Sequence, residues 1–154
     1  MSDVLHDLIE IWKRNGIDPL SNARITEDDL EFGNVKATVG MKGPIWHGKY
    51  CGPATHYKDN PHPIDCLDLA CKLHDAYFDN PQADNALSES AAYLVENNMI
   101  ENQKVYKYAQ AIDSPMFCAG SNLWRNRTIV FILMAIFLAS VGGLGVLFVK
   151  LCTK

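Results

Sequence analysis

The chain has 154 residues and a formal net charge of −4, a length that suits one domain with a modest core. Ahead of residue 128 it carries 12 Lys and Arg against 18 Asp and Glu, a net of −6. An acidic surface makes few phosphate contacts, which argues against nucleic acid as a partner and against a polybasic grip on anionic lipid.

In chain order, "MSDVLHDLIEIWKRNG" reads as an amphipathic helix. Ser2 or Asp3 caps it, Val4, Leu5, Leu8, Ile11 and Trp12 fall at helical spacing, and Asn15-Gly16 ends it. Its apolar face has two uses, packing on its own domain or touching lipid. Residues 17–34 read as loop with one short helical turn, where Thr26 to Asp29 resembles a capping pattern with Asp in place of Glu. "NVKATVGMKGPIWHGKYCGP" mixes β-branched residues with glycines, so strand fragments and turns are expected there.

From Pro63 the period becomes helical. Leu67, Ala70, Cys71, His74, Tyr77 and Phe78 form one stripe, with Asp68, Lys72, Asp75 and Asp79 beside it. "DNPQ" breaks the chain; Asn80 caps the next helix and Pro81 suits its first position. Asp84, Leu87, Ala91, Leu94 and Val95 line one face of that helix, and a pair joined by so short a turn should pack antiparallel. Residues 99–113 extend the series as a third helix, and 114–127 form a juxtamembrane linker.

"TIVFILMAIFLASVGGLGVLFV", residues 128–149, carries no charge. As a helix it spans roughly 33 Å, enough for a hydrocarbon core of about 30 Å. The N-terminus reads as amphipathic rather than as a leader, so the expected arrangement is a tail anchor with the domain facing the cytosol. Ala135, Ala139 and Gly143 repeat at four-residue spacing, which would let two spans pack as a homodimer. The odd set of Cys51, Cys66, Cys71, Cys118 and Cys152 reads first as free thiols in that setting.

The chemistry concentrates between Tyr50 and Leu87. His74 is followed at once by Asp75, which projects about 100° round the helix. A neutral histidine takes a proton from water, and an ionised carboxylate holds a hard cation. Across the helical hairpin, Asp84 falls opposite His74 and can fix its tautomer, or else it only complements the helix dipole. Calcium needs about six to eight oxygens, and the "YCGP" turn offers the carbonyls of Tyr50, Gly52 and Ala54.

The ordered set "YCGPA…PIDCLDLACKLHDAY…ADNAL" resembles the phospholipase A2 pattern. It is most similar to the compact viral phospholipase A2-like domains of parvovirus capsid-protein N-termini. The resemblance covers residues 50–87. It implies a mainly α fold, with an antiparallel helical pair and a calcium-binding loop inside residues 35–113, behind an N-terminal helix and loop at 1–34. It implies hydrolysis of the sn-2 ester of membrane phospholipid, with His74 as general base and Asp84 orienting it. Asp75, Tyr50, Gly52 and Ala54 would bind calcium, Asp68 would brace the loop, and Cys51 and Cys71 sit where secreted relatives carry a disulfide. On this reading the partners are phospholipid and the bilayer, and the location is a host membrane or virion. The chain departs from the pattern at Ala54, where glycine is usual, and at Phe78, where tyrosine is usual and Tyr77 stands one earlier. The link from His74 to Asp84 is also short. Two other classes stay open: an inactive membrane adaptor, and a zinc module built from Cys51, His56, His62, Cys66 and Cys71.

Overall fold

Leu8, Ile11 and Trp12 recur at helical spacing, and in the computed structural model they are the buried face of α1, Val4–Arg14. The structure describes residues 4–43, 46–52 and 59–113, together with Ile136. Four further α-helices follow among the described residues: α2 (Glu27–Leu30), α3 (Cys66–Ala76), α4 (Pro81–Glu96) and α5 (Gln103–Ile112). Single 3₁₀ turns occupy Pro19–Ser21 and Glu31–Asn34. The fold is mainly helical. The strand fragments expected at 34–53 reduce to two isolated bridges among the described residues, Ala37 with Ile100 and His47 with Cys51.

The helix ends follow local chemistry. Gly16 closes α1 at φ +80°, with its N–H on the Lys13 carbonyl. Thr26 and Asp29 make a reciprocal capping box on α2, so aspartate serves where glutamate is usual. Asn80 caps α4 with Pro81 behind it, and Asn102 caps α5 after Ile100 has bridged to Ala37.

The lipid-facing alternative for α1 gives way to packing. Trp12 is fully buried, and its indole N–H donates to Ser90 Oγ on α4 (3.1 Å). Leu8 and Ile11 join Leu67, Ala70, Ala91 and Leu94 in one core, so segments 1–34 and 35–113 are stabilised together. A second cluster gathers Trp12, Leu69, Leu73, Ala83 and Ala86. No helix among the described residues is long and apolar enough to cross a membrane. The expected linker at 114–127 and span at 128–149 lie outside the described residues, Ile136 apart.

Candidate active site

Asp65 caps α3 by accepting from the N–H of Asp68, and the helix then delivers His74 and Asp75 near its last turn. The turn at 77–80 reverses the chain, and the first turn of α4 delivers Asp84. His74 Nε2 donates to Asp84 Oδ1 at 2.8 Å. A carboxylate only accepts, so Nε2 carries a proton; in the neutral ring Nδ1 then keeps the lone pair, and in the charged ring Nδ1 is protonated too and faces Asp75. Nδ1 lies on the Asp75 side, 3.8 Å from its Oδ1. His74 and Asp84 are both buried, and Asp75 is partly open to solvent. Burial pulls the His74 pKa down, but the hydrogen bonds and charges of Asp75 and Asp84 outweigh it, leaving the pKa above the usual 6.5.

The loop ahead of α3 is fastened to the same helix at two levels. Asp68 is fully buried and accepts three backbone N–H groups: Lys49 (2.9 Å) and Tyr50 (2.7 Å) on Oδ1, and Ile64 (3.0 Å) on Oδ2. Burial pushes its carboxyl up, against three donors that favour the charged form. One turn along, Cys51 is joined to Cys71 by a disulfide, with Cα atoms 5.1 Å apart. Residues 71 and 75 share a helix face, so this bond seats the loop beside Asp75. Cys51 spends its own N–H and C=O on the bridge to His47. Glycine is needed twice here. A Cβ on Gly48 (φ +60°) would fall 2.2 Å from Asp68 Cγ, and one on Gly52 (φ +154°) would fall 2.4 Å from the Trp46 ring.

No protein-family model matches the chain, nor does any curated protein or solved structure. Function therefore rests on the geometry and on the sequence pattern that pointed to it.

The structure brings His74, Asp75 and Asp84 together and places Tyr50 and Gly52 on the loop fastened by Asp68. Ala54 lies outside the described residues. Tyr77 is elsewhere: it ends α3 and its hydroxyl donates to the Asp18 carbonyl (2.6 Å), binding the 18–21 segment rather than His74. Phe78 leaves the expected stripe and is 48% exposed, its ring edge-on to His74 at 6.0 Å. A hard cation such as calcium takes oxygen ligands, and Asp75, partly open to solvent, is the side-chain oxygen donor next to His74. Among the described residues no group of three or more His, Cys, Asp or Glu side chains could hold a metal. The zinc set loses Cys51 and Cys71 to their disulfide, and His62 Nδ1 is held by Asp29 at 2.7 Å. Burial, with Asp65 beside it, pushes the Cys66 thiol up to about 12, far from thiolate chemistry.

Several residues around the site take roles that the sequence pattern does not indicate. Lys72, expected beside the stripe, is buried with its ammonium on Asp29 Oδ2 (2.8 Å) and the Pro61 carbonyl (3.2 Å), above the Tyr50 ring. Buried His47 pairs with Asp65 through Nε2 (2.8 Å). Tyr108 on α5 has its phenol pushed up to about 12 by burial, with the charge of Asp75 adding to the shift. The one available signal was the Asp68–Lys72 spacing of four, which puts both on one face of α3.

Proposed function

We propose that the chain is a calcium-dependent phospholipase A2, held at a membrane through residues 128–149. The observation that carries this is the buried His74–Asp84 bond, with Nδ1 turned toward Asp75 beside a loop fastened twice to the same helix. Asp84 fixes the tautomer and opposes the positive charge that forms on the ring. His74 Nδ1 accepts a proton from water as that water attacks the sn-2 carbonyl, and returns it to the departing alkoxide. Asp75 and the carbonyls of Tyr50 and Gly52 would hold calcium, which when bound polarises an ester carbonyl and stabilises an oxyanion. Asp68 and the Cys51–Cys71 bond act indirectly, by keeping those carbonyls at the helix that carries Asp75.

The test is release of sn-2 fatty acid from phosphatidylcholine vesicles by the full chain, with calcium and with chelator. His74→Ala should lower the rate about 10²–10⁴-fold while the thermal melt stays cooperative. Full turnover by a folded His74→Ala protein would remove the assignment.

A further inference from the structure

A cavity of about 740 Å³ opens beside Asp75, lined by Asn22, Arg24, Phe78 and Asp79 among others. Two latches hold the segment that carries Arg24. Asn22 Nδ2 donates to the Ala76 carbonyl at the end of α3 (2.7 Å), and its Oδ1 accepts from the N–H of Arg24 (3.0 Å). Asn60 Nδ2 donates to the Arg24 carbonyl (2.9 Å), so the Arg24 backbone is held while its exposed side chain borders the cavity. Lys13, Arg14, Lys36 and Lys72 each make an ion pair; among the described residues Arg24 makes none. A guanidinium presents a planar fork that matches a phosphate oxygen pair. Asp79 and the exposed ring of Phe78 line the same cavity, a carboxylate and an aromatic face of the kind that attract an alkylammonium. A lining with charges of both signs suits a zwitterion better than a simple anion.

We infer that this cavity takes the head group of a zwitterionic phospholipid, with Arg24 on the phosphodiester and Asp79 with Phe78 on the cationic end. The inference rests on the phospholipase reading, since the cavity's position beside Asp75 would set a phospholipid's ester at His74. Arg24 is then a positioning residue, and head-group choice is made on the 22–24 segment and the turn after α3.

Two readouts test it on the full chain in detergent micelles. In kinetics, Arg24→Gln should raise KM for phosphatidylcholine about ten- to hundredfold with kcat little changed, the loss expected for a charge-assisted pair. Arg24→Lys, which keeps the charge without the planar fork, should restore part of the loss. Asp79→Asn should erase a preference for phosphatidylcholine over phosphatidylglycerol. In binding, glycerophosphocholine should shift the amide resonances of residues 22–24 and 78–80, and Arg24→Gln should abolish the shifts. Inorganic phosphate, lacking the ammonium, should bind more weakly. An unchanged KM for Arg24→Gln in an active enzyme overturns the head-group site and leaves the phospholipase reading standing. Arg24-dependent binding of glycerophosphocholine without any wild-type turnover supports the site and overturns the phospholipase reading. Inorganic phosphate binding as tightly as glycerophosphocholine overturns the zwitterion.

Discussion

Gly48 occupies a position that no side chain can enter. Its φ of +60° is costly for other residues, and a Cβ there would collide with the carboxylate that fastens the loop. Gly48→Ala should therefore lower stability by about 2 kcal/mol and, if the loop holds calcium, raise the concentration needed for half-maximal activity. Urea denaturation measures the first effect and calcium titration of hydrolysis the second. Gly52→Ala meets the Trp46 ring instead of Asp68, a neighbour that can move more readily than a triply bonded carboxylate. It should cost less stability than Gly48→Ala in the same urea experiment. At Asp84 the expected pattern is the reverse of a stability defect. Asp84→Asn keeps the volume but can present an N–H to Nε2 and favour the wrong tautomer. Hydrolysis should fall by about 10²-fold or more, with little change in the melt.

Between elements, the decisive tie is the Asp29–Lys72 pair that joins α2 to α3. Both side chains are buried, and Asp29 also accepts from the Thr26 N–H and from His62. Burial alone would raise the Asp29 carboxyl, but the bonds to Lys72, Thr26 and His62 prevail and hold it below its usual 3.8. A carboxylate depressed on folding stabilises fully above the unfolded value and loses that contribution as pH falls through the folded one. The pair's contribution should thus be constant from neutral pH down to about 4 and drain away at lower pH. Lys72→Met strands a buried carboxylate and should cost about 3 kcal/mol or more at pH 7. The deficit should shrink as the pH of the urea titration is taken below 4. Asp29→Leu combined with Lys72→Met removes both charges and should recover much of the loss.

For the molecule as a whole, the disulfide and the proposed anchor set opposite expectations. The Cys51–Cys71 bond spans 20 residues and, on the loop-entropy account, stabilises by about 3 kcal/mol. Its reduction should lower the melting temperature by roughly 10 °C or more. Such a bond persists in an oxidising setting, whereas a domain in the cytosol would keep both thiols reduced. Alkylation of the protein as isolated from membranes should leave Cys51 and Cys71 unmodified until a reductant is added. Labelling of both without reductant would favour the cytosolic arrangement. The apolar run at 128–149 should hold the full chain on membranes through an alkaline carbonate wash, and a chain ended after Trp124 should be released.

What the sequence determined by itself was local or periodic. The α1 face of Leu8, Ile11 and Trp12, the Thr26–Asp29 cap, and the Asn80-Pro81 start of α4 follow from spacing and capping within a few residues. The short turn after α3 also made His74 and Asp84 partners, because a tight hairpin fixes which positions meet. Tertiary structure decided everything that depended on distant segments. Lys72 falls beside the apolar stripe, and its burial follows from Asp29, 43 residues away, which supplies the charge that makes it tolerable. Tyr77 lay on the helical period yet turns to the Asp18 carbonyl, since α3 ends at Ala76 and the next side chain is free to leave its face. His47 carried no period at all, and only the fold brings Asp65 within 2.8 Å of it. Periodicity reports which face of an element is apolar. Whether a charged residue beside that face is solvated or buried depends on a partner from elsewhere in the chain, and only the three-dimensional arrangement supplies one.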